Sequence, residues 1–298
     1  MTPNQEHHTP TRAAPPLDVA ELAKTLKALP ALPGAARQAL RLASGGEPAL
    51  DALHDVIRTD AALSAKVLSI VNSSRFGLRR EVRSVRHAVS MLGSARVLEA
   101  VLCAALGSLL PGRLAGYGMA TADAWTHNVA TGVLAEQLAH QISPEVEEDA
   151  FTAGLLHDAG KLAISELVGQ HWPELAAALD TREVTFVQAE RAVLGAGHPE
   201  VGEHVLRAWE LPEVYVAVAR HHHEPDSAPG QHRTLVGLVH VATALAHTFG
   251  FGADAAGLNR QVSEGVRARL GISRGMVELI VATSLPRILE LSALTSSA

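Results

Sequence analysis

Residues 151–164 read FTAGLLHDAGKLAI, which sets a His-Asp pair, His157-Asp158, between an apolar run and a Gly-Lys. Three further histidine groups stand around it in order: AWTH ending at His127, GHPEVGEH beginning at His198, and RHHHEP carrying His222 and His223. Imidazole and carboxylate together suit a divalent transition metal, Fe, Mn, Ni or Zn. An ion held by such a set can polarise a phosphoryl oxygen and acidify a bound water. Neighbouring helix residues point about 100° apart, so spacing alone does not place His157 and Asp158 on one ion.

The chain has 16 histidines, and some matches to any histidine pattern are accidental. For His54, His140, His171, His204, His232, His240 and His247 the simpler expectation is a hydrogen-bonded, partly buried imidazole. His7 and His8 belong to a polar, proline-containing tail, residues 1–16.

Ligands of this kind are aimed inward by helices that surround them in a bundle. Beyond the tail the apolar pattern is helical almost throughout. Leu63, Val67, Ile70 and Val71 recur at helical spacing behind Asp60, an N-cap candidate. Val85, Ala88, Val89 and Leu92 form a second stripe that ends at Gly93, Val201, Val205, Ala208 and Trp209 a third, and Val214, Ala217 and Val218 a fourth. Alternating strand patterns of useful length are absent; VTFV at 184–187 is too short. Pro111-Gly112 is the clearest break, which divides the chain into a helical segment over 17–112 and another over 113–298. The loop EPDSAPG at 224–230 interrupts the second.

Apolar residues make up 47% of the 298 residues, charged residues 19% and aromatics only 3%. That composition builds a sizeable core of small aliphatic side chains and excludes a disordered chain. It favours helices packed closely on helices. The net charge of −6 gives no general attraction to nucleic acid or an anionic membrane. The lone cysteine, Cys103, takes the place of a small hydrophobe. The N-terminus lacks the apolar stretch of a secretory signal, and the apolar run 97–110 contains Glu99 and is short for a bilayer span. A soluble, cytoplasmic protein with no membrane contact is expected.

The ordered set His127, His157-Asp158, His198, His222-His223 resembles the HD superfamily of metal-dependent phosphohydrolases, and GLLHDAGKL is similar to its core motif. LPALPGAARQALRLA, LHDVIRTDAALSAKVLSIVNSSRFG and SVRHAVSMLG resemble the HDOD domain, an HD-related output domain of bacterial signalling proteins. The resemblance runs from about Leu29 to the last helix. It implies an all-α fold in which an N-terminal helical subdomain packs on an HD-like bundle. It also implies His127, His157 and Asp158 as metal ligands. His198, His222 and His223 match histidines of the HD-GYP branch, which cleaves cyclic di-GMP, and Asp123 stands where that branch can have a Glu ligand. Lys161, one turn after His157, would share its helix face and meet a phosphate.

Two departures bear on activity. No GYP follows HHE, and Thr243, in LVHVATALA, stands where the superfamily has its last ligand Asp. Asp254 lies eleven residues further on and outside the matching helix. Losing one carboxylate from a partly buried site weakens a divalent ion by on the order of a few kcal/mol, roughly a hundredfold in affinity. The resemblance therefore implies a regulatory module that acts through a signalling protein partner or a bound ligand, nucleotide or cyclic dinucleotide. The alternative is a metal-dependent phosphohydrolase in which Asp158 and Lys161 serve catalysis. The two part on one geometric requirement: an enzyme needs His127, His157, Asp158, His198 and His222 or His223 to converge on one cavity.

A second candidate surface is SRFGLRREVRSVRH, with Arg75, Arg79, Arg80, Arg83 and Arg86. Arginine forks bind phosphate and carboxylate, so this stretch is either an anion or acidic-partner surface or a solvated loop and first helical turn. No aromatic ladder interleaves with the arginines and no recognisable nucleic-acid motif accompanies them, which speaks against nucleic acid.

Overall fold

The computed structural model describes residues 31–43, 50–72, 81–109, 113–180, 184–252 and 262–293. The tail 1–16, Arg75, Arg79, Arg80 and Asp254 lie outside them.

The described chain is all-α apart from one two-stranded antiparallel ribbon, Arg113–Leu114 with Met119–Ala120. Among the described residues the N-terminal group consists of α1 (Gly34–Ala43), α2 (Leu50–Ile57), α3 (Ala61–Val71) and α4 (Val85–Gly107). Asp60 caps α3 by accepting a hydrogen bond from the Leu63 N–H, and the stripe Leu63, Val67, Ile70, Val71 is buried. Asn72 ends that helix and clamps the chain that returns beside it, donating to and accepting from the Val82 backbone at 2.7 Å in each direction. Gly93, with φ 79°, kinks α4, a conformation that costs a residue with a Cβ far more. After the kink α4 runs through the core. It is long and apolar enough to cross a bilayer, but most of it is buried within the protein.

The second group is built around α5 (Thr121–Ile142), whose small residues let its neighbours come close. Around it lie α6 (Glu147–Leu156), α7 (Ala159–Gln170), α8 (Trp172–Leu179), α9 (Phe186–Leu194), α10 (His198–Ala208), α11 (Glu213–His221), α12 (Arg233–Thr248), α13 (Glu264–Leu270) and α14 (Arg274–Ser292). The segment at 184–187 is a helix start: Thr185 caps α9 in a reciprocal capping box with Gln188.

Glycines set two of the closest helix contacts. A Cβ on Gly154 of α6 would stand 2.6 Å from the Gly132 Cα on α5, and one on Gly160 of α7 would stand 1.9 Å from the His198 carbonyl oxygen at the start of α10. The second contact brings the beginnings of α7 and α10 together.

The two groups meet where α4 touches α6, and ion pairs reinforce the contact. Arg287 on α14 reaches the buried Glu99 of α4 at 2.8 Å and also pairs with Glu136 of α5. Arg41 and Arg37 of α1 pair with Glu210 beyond α10. Trp125 of α5 donates its indole N–H to the Leu291 carbonyl on α14 at 3.0 Å.

Candidate metal centre

His157 and Asp158 do not lie within one helix. His157 is the C-cap of α6 and Asp158 the N-cap of α7, and the Asp158 side chain makes no capping hydrogen bond. The chain turns between them, so two consecutive residues face one point from two helices. Asp158 is buried, and four imidazoles from four other places surround its carboxylate.

On Oδ2 the neighbours are His157 Nε2 at 3.3 Å, His127 Nε2 of α5 at 3.8 Å and the Lys161 ammonium at 2.7 Å. On Oδ1 they are His198 Nε2 of α10 at 3.4 Å and His222 Nε2, at the C-cap of α11, at 3.5 Å. His223 joins this second side through its own Nε2, 2.9 Å from that of His198. The residues thus form two ligand groups that share Asp158: His127, His157 and Asp158, and Asp158, His198, His222 and His223.

The outer nitrogens fix the ring orientations. His157 Nδ1 lies 2.7 Å from the Gly154 carbonyl, His222 Nδ1 2.9 Å from that of Ala219, and His127 Nδ1 3.2 Å from that of Phe251. A carbonyl oxygen only accepts, so each Nδ1 carries the proton and each Nε2 faces the cluster. His198 Nδ1 pairs instead with the Glu190 carboxylate at 2.8 Å. Outer-shell acceptors of this kind hold metal-binding histidines in the correct tautomer.

Burial, reinforced by the adjacent His247 and His157 rings, pushes His127 well below the ordinary imidazole value. Burial takes His222 down to about 3, against the raising effect of its Asp158 contact. Both are neutral at pH 7, so each presents an Nε2 lone pair towards a carboxylate. Burial opposes ionisation of Asp158, but His157 and Lys161 outweigh it and hold the carboxyl well below its usual range.

The inner atoms His127 Nε2, His157 Nε2, His222 Nε2 and Asp158 Oδ1 make no hydrogen bond. Buried polar atoms without partners are rare and call for an explanation. Metal–nitrogen bonds of about 2.0–2.1 Å place ligand atoms about 3.0–3.4 Å apart on a coordination sphere. The separations around Asp158 are close to that range and are long for hydrogen bonds. The donor set therefore fits a divalent transition metal by atom type, orientation and spacing.

Room at the centre is small. The cavity beside His127, Asp158 and Lys161, bounded also by Leu114, Met119 and Leu162, holds about 10 Å³. A water or ion needs that much, whereas small-molecule sites run to about 300–1,000 Å³. Among the described residues two larger cavities lie elsewhere, and no residue of the cluster lines either. One, of about 390 Å³, is bounded by Glu99, Glu136, Asp149 and Tyr215; the other, of about 770 Å³, by Val241, Phe249, Val262 and Val277.

The six residues His127, His157, Asp158, His198, His222 and His223 come together around the Asp158 carboxylate in two groups, but of the six only His127 and Asp158 line this small cavity. Asp123 does not join them. It is exposed in the first turn of α5, because the turn that aligns it with His127 also lifts it out of the centre. Lys161 faces Asp158 and the Tyr117 ring, 5.3 Å from its centroid, at 2% exposure. Thr243 spends its hydroxyl on its own helix, donating to the Val239 carbonyl at 2.8 Å. His247, expected to be an ordinary partly buried histidine, stacks on His127 with ring centroids 4.3 Å apart.

Of the arginines, Arg83 pairs with Glu81, and Arg86 with Asp51 beside His54. Both therefore have acidic partners within the chain. Two residues of the site went unread in the sequence, Glu190 and Tyr117. Glu190 is wholly buried and accepts from the Tyr117 hydroxyl at 2.5 Å and from the His198 backbone N–H at 2.9 Å. Its signal was present: a carboxylate at a core position of α9, between Phe186 and Leu194 at spacings of four.

The sequence profile of the HDOD domain matches residues 29–225, roughly two-thirds of the chain. An uncharacterized protein of Treponema pallidum (strain Nichols) is 26% identical over 234 residues, covering 74% of this chain. The match spans only 42% of that curated relative's length. The crystal structure of an HDOD domain protein of unknown function from Geobacter sulfurreducens is similar, with 25% identity, a TM-score of 0.72 and coverage of 93% of this chain and 98% of that one. A candidate signal transduction protein from Marinobacter aquaeolei VT8 shares the fold at 24% identity and a TM-score of 0.74, over 97% of this chain and 63% of its own. A candidate metal-dependent phosphohydrolase from Shewanella amazonensis SB2B shares it at 18% identity and a TM-score of 0.57, over 93% of this chain and 97% of its own.

Proposed function

The chain belongs to the HDOD family, and from that membership we propose that it is a regulatory signal-transduction module whose His/Asp cluster is a closed metal centre and not a site of turnover. One observation carries this reading: imidazoles from separate elements aim ligand atoms at the buried Asp158 carboxylate, and the cavity beside His127 and Asp158 holds only about 10 Å³. The cluster offers the ion, Fe, Mn, Ni or Zn, two groups of ligands that share Asp158: His127 and His157 on one side, and His198, His222 and His223 on the other. Bound at either, a divalent ion would supply positive charge to the inner nitrogens and the carboxylate, linking the α6–α7 junction to the helices that carry the other ligands. Binding free energy of that kind is folding free energy, and it fixes the relative positions of the helices. The module would then present a helical surface to a cytoplasmic signalling partner, or accept a nucleotide or cyclic dinucleotide ligand.

A second reading, a metal-dependent phosphohydrolase, draws support from the convergence itself and from Lys161, whose charge could meet a phosphate. It requires the centre to open. The covering turn is tight: Gly252, at φ 70°, lies so close that a Cβ there would stand 2.7 Å from the His127 Cβ. A turnover screen of the metal-loaded protein with cyclic dinucleotides, nucleotides and generic phosphodiesters separates the two. No product is expected. Release of phosphate or a linear dinucleotide, abolished by Asp158→Ala, would establish the hydrolase instead.

A further inference from the structure

The two sides of the Asp158 carboxylate differ in charge. Oδ2 already has a cation, the Lys161 ammonium at 2.7 Å. That ammonium is enclosed at 2% exposure, with the Tyr117 ring against it. The other ligands on this side are two neutral-type donors, His127 and His157, and Thr243 contributes no carboxylate. A divalent ion beside Oδ2 would face a fixed positive charge with only a shared aspartate to offset it.

Oδ1 has the opposite surroundings. His198, His222 and His223 supply three imidazoles, and all four ligand atoms lie within 4.8 Å of one another. Behind His198 stands a second buried carboxylate, Glu190, which accepts a hydrogen bond from His198 Nδ1–H at 2.8 Å. The His198 backbone N–H and the Tyr117 hydroxyl hold Glu190 in place. The Nε2 atoms of His198 and His223 lie 2.9 Å apart; without an ion His223 Nε2–H donates to the His198 Nε2 lone pair, and an ion that displaces this proton would find the two nitrogens at a separation that suits two ligands.

We infer that the centre takes a single divalent ion, on Asp158 Oδ1 with His198, His222 and His223, and that Lys161 serves as the built-in cation of the Oδ2 side. Glu190 is the positioning residue for this ion: it keeps the His198 Nε2 lone pair aimed at Oδ1 and adds negative charge behind the ring. Tyr117 joins the two halves, its hydroxyl on Glu190 and its ring against Lys161. The assignment rests on the cluster being a metal centre and adds which half is used.

Calorimetric titration of the chelator-stripped full chain with Mn²⁺ tests it. The wild type should bind one equivalent, as should His127→Ala. His198→Ala should bind none, and Glu190→Gln should bind about 10–100-fold more weakly. Lys161→Met should bind two equivalents. Two equivalents in the wild type would overturn the assignment, as would one equivalent lost in His127→Ala and kept in His198→Ala. An unchanged single equivalent in a folded Lys161→Met would also contradict it. No binding by the wild type would remove the metal reading altogether, a different failure. Anomalous scattering from Mn²⁺ in wild-type crystals needs no variant: density beside Oδ1 is expected, and density between His127 and His157 overturns the inference.

Discussion

Asp158 is the residue on which the centre depends, since Lys161 and four imidazoles all face its two oxygens. Asp158→Ala leaves the Lys161 ammonium buried without its carboxylate, and removing one partner of a buried pair costs about 3–5 kcal/mol. A drop of that order in unfolding free energy is expected for the metal-free protein in urea; a change within error would mean that Lys161 finds another partner. The imidazoles add a pH dependence. His127 and His222 both titrate lower in the folded chain than the ordinary 6.5, so the unfolded chain takes up protons first as pH falls. Stability is intact above pH 6.5 and is lost towards the folded value of about 3 for His222. At pH 5 the loss is about 2 kcal/mol for each imidazole that stays neutral. Asp158, depressed in the folded state, adds to the loss only as pH falls below the ordinary carboxylate value. The urea midpoint of the metal-free protein should therefore fall between pH 7 and pH 5, and a flat profile would contradict neutral burial. At this scale the order of His127, His157, Asp158, His198, His222 and His223 in the sequence picked out residues that the fold brings together. Glu190 was passed over although it shares a core spacing with Phe186 and Leu194, because a carboxylate is ordinarily assigned to the surface.

The elements place these residues through junctions and close approaches. His157 and Asp158 face one point because α6 ends and α7 begins between them, a break that GLLHDAGKL, apolar on both sides, does not announce. Caps and stripes were easier to read: Asp60 caps α3, and Gly93 ends the regular first part of α4 at a positive φ. Where local chemistry decides the backbone, sequence reveals it; where tertiary contact decides it, the signal is a glycine with no turn to explain it. Gly160 is such a residue, pressed against the His198 carbonyl and the Gly202 N–H. A Gly160→Ala methyl would have to push α10 away from α7, with a cost of about 1–3 kcal/mol or more. The same shift would carry His198 away from Asp158. The variant should lose both stability and ion affinity, whereas Gly230→Ala, with nothing within 4 Å of its Cβ, should lose neither. Equal ion affinity in Gly160→Ala and wild type would show that the α7–α10 contact does not set the centre.

In the whole molecule, the N-terminal group and the bundle are held together by α4 against α6 and by Arg287 between Glu99 and Glu136. Burial opposes the Arg287 charge, and the two carboxylates more than restore it. Arg287→Ala would take from the buried Glu99, at 5% exposure, its 2.8 Å ion pair and leave the more distant Arg96 at 3.6 Å. A loss of about 3 kcal/mol is expected. A second unfolding transition would show that the groups separate, and an unchanged single transition would show that apolar contact alone joins them. The all-α class was legible from periodicity, and the Pro111-Gly112 break lies outside the described residues; the packing of the two groups was not legible, because ion pairs between residues 188 apart leave no local pattern. The central claim, that the cluster is a closed metal centre, is tested most directly by elemental analysis. Untagged protein purified without chelators is measured for Fe, Mn, Ni and Zn per chain, beside Asp158→Ala. About one ion per chain, lost in the variant, is the predicted result; no metal in the wild type, even after incubation with each ion, would contradict it.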